Sequence, residues 1–218
     1  MNSTLRKLRG TVSQKKRSLQ FPYANYNKKN NCIFIHIPKV AGTSITDALG
    51  DGRAQRNHLP WYVYYTANKT FFEQAYKFSF VRNPWDRALS AYNYLVSGGN
   101  KTTDQRVSEM VSKYSDFDDF VINGLGSGGF RNHLLFIPQS EFIVNGEQEV
   151  VVDFLGRFEN IDEDFCEVLS SIGIDRKLDN KNSSKRSKDY KPYYKKARSI
   201  EVIAEIYAQD VKMFSYEY

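Results

Sequence analysis

The sequence predicts an α/β fold in which helices flank a central, mainly parallel sheet. Two segments support this prediction, residues 32–44 and 78–92, because each has the pattern of a buried strand, a short loop and the start of a helix. A chain of 218 residues, 41% of them hydrophobic, is long enough to bury one substantial core. We therefore expect a single three-layer α/β domain over residues 31–218, preceded by a basic extension over residues 1–30.

The first segment, CIFIHIPKVAGTS, begins with a nearly continuous apolar run, which is typical of a parallel strand covered on both faces. Pro38 ends that strand. Gly42 lets the backbone approach a ligand closely, and Thr43 or Ser44 can cap the next helix, whose free N–H groups attract anions. Lys39 adds a positive charge beside them. The segment therefore predicts a phosphate-binding loop and a nucleotide site.

The second segment, FSFVRNPWDRALSAY, repeats the order of strand, loop and helix. Arg82 ends the strand, and Ser90 follows eight residues later. Asn83 can cap the helix, Pro84 suits its first turn, and Asp86 lies in the N-terminal turn that favours acidic side chains. This pattern predicts a second polar loop at the same edge of the sheet.

The first loop is similar to a Walker A motif but departs from its order, because its lysine precedes the glycine and the spacing fits poorly. No clear magnesium carboxylate accompanies it. A nucleotide-dependent phosphotransferase is therefore the weaker alternative. A relative that binds carbohydrate or anions without catalysis is a second alternative, which the intact polar residues of both loops disfavour.

Together, IPKVAGTS and FVRNPWDRALSAY resemble the two cofactor loops of sulfotransferases that use 3′-phosphoadenylyl sulfate (PAPS). The resemblance is closest to the carbohydrate branch, family 2, with its soluble bacterial members. It implies a P-loop-like sulfotransferase fold and transfer of a sulfuryl group from PAPS to a carbohydrate hydroxyl by in-line displacement, with PAP as product. It also implies that the first loop holds the 5′-phosphosulfate, while Arg82 and Ser90 hold the 3′-phosphate. The ligands implied in the first loop are Lys39, Val40, Ala41, Gly42, Thr43 and Ser44.

A late basic segment, residues 182–194, resembles the family's loop that closes over the cofactor or acceptor. Lys185 or Arg186 would then reach a phosphate, and a solvated basic loop is the alternative. GRFENI at 156–161 resembles another recurrent family segment, in which we expect Arg157 and Glu159 to be structural.

Sulfuryl transfer requires a base that removes the proton of the acceptor hydroxyl. His58 is the predicted base, because it lies between the two loops, where many members of the resembling family have a histidine, and an ordinary histidine pKa near 6.5 suits neutral pH. His36 lies in the first strand and is predicted to be structural. His133 either lines an acceptor groove or packs in a loop. Lys39 would stabilise charge on the bridging oxygen of the leaving PAP, unless it only neutralises a phosphate.

The aromatic run WYVYY at 61–65 directly follows the predicted base. It either stacks sugar rings or forms a strand on the core, and the strand is favoured. With His58 and His133, Trp61 is a predicted acceptor contact. Trp85 either touches adenine or packs under its loop.

The remaining pattern predicts helices, further strands and a glycine-rich turn that is a candidate mobile loop. The predicted helices are 43–50, 66–75, 84–96, 104–124 (one or two helices), 160–172 and 197–213. The predicted strands after the first are 77–81, 141–145 and 150–154, and the turn is 124–129.

The net charge of +6 is concentrated in two segments, residues 1–29 and residues 176–198. The first is either a solvated extension or a peripheral contact for anionic lipid or acidic glycan. No nucleic-acid motif accompanies these segments. We expect no transmembrane segment, no signal peptide and a cytoplasmic location. No metal is predicted, because no ligand cluster is visible, and Cys32 and Cys166 are expected to be reduced, buried thiols.

Overall fold

Three parallel strands form the sheet of the computed structural model, which describes residues 21–50, 57–175 and 189–218. The strands are β1 (Cys32–Ile35), β2 (Tyr76–Val81) and β3 (Phe154–Arg157), in the order β1-β2-β3. Ile35 lies opposite Ser79 in the first pair, and Val81 lies opposite Arg157 in the second. The predicted α/β fold, a parallel sheet flanked by helices, is confirmed.

Helices precede, connect and follow these strands. They are α1 (Asn25–Asn30), α2 (Gly42–Ala48), α3 (Trp61–Ala67), α4 (Lys69–Gln74), α5 (Pro84–Val96), α6 (Gln105–Val111), α7 (Phe117–Asp119), α8 (Ser140–Ile143), α9 (Ile161–Ser171), α10 (Ala197–Ile206) and α11 (Ala208–Met213). The other helical segments are a π-helical turn over Phe120–Leu125 and 3₁₀ turns over Phe158–Asn160 and Lys191–Tyr193.

The core is centred on the sheet. Every residue of β1 is buried, as its apolar run predicts, and the Phe34 and Phe78 rings stack across the first strand pair with centroids 5.1 Å apart. In the second pair, Gly156 lies opposite Phe80. A Cβ atom at position 156 would lie 2.4 Å from the Phe80 ring, so this strand position needs glycine for space.

Helix α5 begins as the sequence predicts. The Asn83 side chain accepts hydrogen bonds from the N–H groups of Trp85 and Asp86, and Pro84 occupies the first helical position. One side of α5 is buried against the core through residues that include Leu89. The predicted bounds, 84–96, are those of the structure.

The prediction of a strand over 61–65 was wrong, because these residues form α3. Pro60 precedes that helix in an extended conformation, and the helical spacing turns the Trp61 and Tyr65 rings together toward Phe72. The predicted helix 66–75 is interrupted at Asn68, whose side chain accepts a hydrogen bond from the Phe71 N–H and begins α4.

The predicted strands at 141–145 and 150–154 were also wrong. Residues 140–143 form α8, because the buried carboxylate of Asp210 accepts hydrogen bonds from the N–H groups of Gln139 and Ser140 and so holds a helical start. One isolated antiparallel bridge, Val144 with Val150, lies in these segments, and the second of them overlaps the observed β3 only at Phe154.

Two further expectations can be compared with the structure. Cys32 is buried, and burial raises its pKa to about 12, but Cys166 is exposed, since it lies on the outer side of α9. The helix expected over 197–213 divides into α10 and α11 at Tyr207. Among the described ranges, no helix has the length and apolar character needed to cross a membrane.

Residues 25–30, within the predicted basic extension, pack on the folded core as α1. Tyr26 and Asn27 are buried, and the Asn27 amide donates a hydrogen bond to the Cys32 carbonyl oxygen at 2.9 Å. The earlier part of the extension, residues 1–20, lies outside the described residues.

Candidate active site

The two predicted polar loops lie side by side at one edge of the sheet. β1 and β2 are adjacent and parallel, so the loops that follow them leave the same carboxyl edge. The Ser79 hydroxyl donates a hydrogen bond to the Ile35 carbonyl oxygen at 2.7 Å and joins the strands just below that edge. Ligands of open α/β sheets bind at such an edge, which makes this the candidate active site.

The backbone of the first loop adopts conformations that are rare outside glycine. Lys39 and Ala41 have φ angles of 73° and 61°, in the left-handed region. Such conformations cost about 1–3 kcal/mol each and are concentrated at functional sites. Val40, between them, has a fully buried side chain that anchors the loop in the core. Packing thus holds the peptide groups around Val40 in an otherwise unfavourable shape.

Helix α2 starts where this loop ends. The N–H groups of Ser44 and Ile45 both donate to the Ala41 carbonyl oxygen, at 3.0 and 3.3 Å. Gly42 and Thr43 lie in the first turn of α2. The N–H groups of a first helical turn have no acceptor within their own helix and point along its axis. The half-buried side chains of Thr43 and Ser44 add two hydroxyls beside them.

Gly42 is required by a neighbouring side chain. A Cβ atom at this position would lie 1.7 Å from His36 Nε2, because the imidazole packs directly over the glycine. The His36 ring is buried and stacks on Phe34, with centroids 5.1 Å apart. The sequence suggested close approach of a ligand as the reason for this glycine, and the structure adds the packing of His36.

Arg82 links the second loop to the first. Its guanidinium forms an ion pair with Asp86 at 2.7 Å and donates from Nη1 to the Lys39 carbonyl oxygen at 3.0 Å. It also lies over the Phe158 ring, 3.8 Å from the centroid, and its side chain is only 7% exposed. The residue predicted to bind the 3′-phosphate is therefore also a structural link between the two loops.

Gln139 and Asp210 hold Arg82 in place, and sequence reasoning missed both. The Gln139 side chain accepts from the Arg82 N–H at 2.9 Å and donates to the Arg82 carbonyl oxygen at 2.8 Å. Asp210 in turn accepts from the Gln139 N–H at 2.7 Å. Both residues are fully buried. They lie 57 and 71 residues from their partners, so no local pattern could have identified them.

Helix α5 turns one row of side chains toward the first loop. Helical spacing aligns Asp86, Ser90 and Tyr94 on one face. Asp86 reaches the loop through Arg82, and the Tyr94 ring lies 4.3 Å from Lys39 Nζ. Ser90, half-buried between them, therefore faces the space between the loops.

His58 is held next to the first loop by a backbone contact. Its Nδ1 atom lies 3.0 Å from the His36 carbonyl oxygen, and the two imidazole centroids are 4.1 Å apart. A carbonyl oxygen only accepts hydrogen bonds, so Nδ1 carries a proton. In the neutral ring, Nε2 then has the lone pair, which is the arrangement that a general base requires.

The other two predicted acceptor contacts, His133 and Trp61, are both partly packed into the protein. His133 is half-buried beside Phe136, and burial lowers its pKa while the charge of Asp104 acts in the opposite direction. Trp61 donates from its indole to the Val144 carbonyl oxygen at 3.0 Å. Both side chains retain some exposed surface.

Trp85 is buried, donates to the Ile200 carbonyl oxygen at 3.0 Å and packs on Tyr218, so it is a packing residue. Lys185 and Arg186 lie outside the described residues. Described residues just beyond them return to the site, because Tyr190 accepts a hydrogen bond from the Asn83 amide at 3.1 Å.

No group of histidine, cysteine and acidic residues within the described ranges has the arrangement of a metal site.

Comparison with known proteins gives this geometry a family. The model of the sulfotransferase family matches residues 22–217, nearly the whole chain. The chain belongs to this family. The match confirms the predicted membership of the family 2 sulfotransferases, and sulfotransfer is the general activity.

Curated relatives and solved structures add little to the family assignment. A protein of Archaeoglobus fulgidus, described only as uncharacterized, is 29% identical over 119 residues, which are 55% of this chain and 85% of that protein. No solved structure matches this sulfotransferase significantly.

Proposed function

We propose that this sulfotransferase moves a sulfuryl group from PAPS to a hydroxyl of a carbohydrate acceptor and releases PAP. The observation that carries the proposal is the hydrogen bond from Arg82 to the Lys39 carbonyl oxygen at 3.0 Å. It joins two cationic loops side by side, as expected for recognition of the two ends of one donor with phosphates at both. When bound, PAPS would supply the activated sulfuryl group.

The described residues fit such a donor. Two left-handed residues and the start of α2 bring together the N–H groups of Val40, Ala41, Gly42 and Thr43 and the hydroxyls of Thr43 and Ser44, which suits binding of the 5′-phosphosulfate. Arg82 and Ser90 are assigned to the 3′-phosphate, with Lys185 and Arg186 as further candidates. Lys39 is assigned to the charge that develops on the bridging oxygen.

His58 is the proposed base. Its Nδ1 proton is directed to the His36 carbonyl oxygen, which orients the ring and leaves Nε2 to accept the proton of the acceptor hydroxyl. Trp61 and His133 are the proposed acceptor contacts. Tyr62, four residues after His58 and at the start of α3, is 53% exposed, which supports a sugar-stacking surface on this helix.

Calorimetric titration tests the donor first. The protein is titrated in parallel with PAP, with adenosine 5′-phosphosulfate and with ATP plus Mg²⁺. Tight binding of PAP is expected. Binding of ATP without binding of PAP would contradict the proposal and favour a phosphotransferase.

Variants then test the two site assignments. Arg82→Ala is expected to weaken PAP about 10- to 100-fold, and adenosine 5′-phosphosulfate much less, because only PAP has the 3′-phosphate. Ser90→Ala tests the same site without removing a buried guanidinium. Equal weakening of both ligands would argue against the 3′-phosphate assignment.

His58→Ala is expected to keep PAP binding within about twofold while lowering turnover on a glycan panel with PAPS by about 10²- to 10⁴-fold. Native turnover in this variant would show that His58 is not the base.

A further inference from the structure

The row of side chains on α5 holds a tyrosine against the lysine of the first loop. Lys39 Nζ lies over the Tyr94 ring, 4.3 Å from its centroid, within the range of a cation–π contact. The backbone of the same lysine is fixed by Arg82 through its carbonyl oxygen. Lys39 is therefore held at both ends, by α5 at the ammonium and by the second loop at the backbone.

The Tyr94 ring is itself fixed by a carboxylate. Its hydroxyl donates to Asp104 Oδ2 at 2.9 Å, and the same oxygen accepts from the Asn100 N–H at 2.9 Å. The left-handed Gly99 makes this turn possible, since a Cβ atom there would lie 2.8 Å from the Asp104 Cβ. The turn after α5 thus brings a negative charge to the far end of the Tyr94 ring.

The direction of the Asp104 side chain is unusual for its place in the chain. Asp104 is the N-cap residue of α6, where an aspartate normally accepts hydrogen bonds from the first turn of its own helix. Its side chain makes no such bond and turns back to Tyr94 and Asn100. A local helix cap is replaced by a contact that leads toward the active site.

We propose that Tyr94, oriented by Asp104, is a positioning residue that holds the Lys39 ammonium ready for the phosphosulfate of the donor. A lysine side chain has four flexible torsions and loses up to about 2 kcal/mol of entropy when it is ordered. The ring orders it before the donor arrives, and the carboxylate at the hydroxyl increases the attraction of the ring for the cation. The inference rests on the proposed function, because it assigns Lys39 to the donor.

Proton NMR tests the contact without any ligand. The Cε methylene signals of Lys39, identified by their loss in Lys39→Met, are expected upfield because they lie near an aromatic face. The shift should be reduced but still present in Tyr94→Phe, which keeps the ring without its hydrogen bond to Asp104, and disappear in Tyr94→Leu. Unshifted signals in the native protein would overturn the proposal.

Calorimetry with PAP then measures whether the contact serves the donor. We expect Lys39→Ala to weaken PAP about 10-fold and Tyr94→Leu about 3- to 10-fold, while Tyr94→Phe stays within about twofold. The double variant should bind no more weakly than Lys39→Ala alone, because Tyr94 acts through the lysine. Additive losses would overturn the proposal.

Tyr92→Leu is the matched control. Tyr92 lies on the same helix, but its ring packs on Phe117 and Phe120, and its effect should add to that of Lys39→Ala. Melting temperatures identify variants that fail to fold. Asp104→Asn, which is expected to reduce the upfield shift, replaces Tyr94→Leu if that variant does not fold. If the native protein bound no PAP, the donor assignment would fall, while the NMR signals would still decide whether Tyr94 holds Lys39.

Discussion

At the scale of single residues, the active site depends on a few positions whose backbone or contacts are exceptional. Lys39 and Ala41 adopt left-handed conformations without being glycine. Gly42 is ordinary in its backbone, but it leaves the space that the His36 ring occupies. The polar loop is therefore shaped as much by packing beneath it as by the groups that face a ligand.

Gly42→Ala is expected to destabilise the protein by about 1–3 kcal/mol and to weaken PAP binding, because the added methyl overlaps the His36 ring. The measurement is the free energy of unfolding in denaturant, together with titration of PAP. Gly146→Ala is the control, since a Cβ atom there meets nothing within 4 Å. The second variant His36→Ala/Gly42→Ala should recover part of the loss, and no recovery would show that His36 is not the obstacle.

At the scale of elements, local patterns predicted β1, β2 and α5 well, because each combines a buried apolar run with a clear end signal. The first strand ends at Ile35, three residues before the end predicted at Pro38, and Asn83 with Pro84 begins α5. The pattern failed at α3, where alternating aromatics favoured a strand but packing of Trp61 against Phe72 favoured a helix. Tertiary contacts that no local window contains decided that segment.

The candidate site shows the same division. The motifs located Lys39 and Arg82 on two loops that the sheet then places side by side, and Ser90 on the helix that follows the second loop. They did not predict Gln139, whose partners are distant in the chain. They also did not predict the hydrogen bond from Arg82 to the Lys39 carbonyl oxygen that links the loops. Spacing identifies side chains that face a ligand, whereas residues that support them are found only in three dimensions.

Gln139→Leu is expected to lower both stability and affinity for PAP. The change leaves the buried N–H and carbonyl groups of Arg82 without the Gln139 amide, at a cost of about 1–3 kcal/mol for each unsatisfied group. Urea unfolding and titration with PAP measure the two effects. Gln209→Leu removes a surface hydrogen bond to Gln148 and should change neither. Equal behaviour of the two variants would show that Gln139 does not support Arg82.

At the scale of the whole molecule, a C-terminal segment, residues 214–218, packs against the start of α5. The Asn83 amide donates to the Glu217 carbonyl oxygen at 2.9 Å, and the Tyr216 hydroxyl donates to Glu159 at 3.1 Å. Glu159 also accepts from the Asn83 N–H at 2.7 Å. The predicted structural role of Glu159 is thus to connect this segment with the turn that presents Arg82.

Glu159→Ala should weaken PAP binding although the side chain is directed at protein groups. Loss of the carboxylate frees the Asn83 N–H and the Tyr216 hydroxyl, so the turn before α5 is held less firmly. We expect a loss of stability of about 1–3 kcal/mol and a several-fold higher Kd for PAP. Glu201→Ala, on the exposed face of α10, is the comparison and should leave both quantities unchanged. A Glu159→Ala protein with native affinity would show that the C-terminal segment does not influence the site.

The contact between His36 and Gly42 also restricts how this loop can diverge during evolution. A side chain at position 42 overlaps the imidazole, while a small residue at position 36 alone leaves a void beside Phe34. Each single step costs stability, and only the paired exchange restores the packing. The two positions are therefore expected to be epistatic, so that the identity of residue 36 decides which mutations at residue 42 a lineage can tolerate.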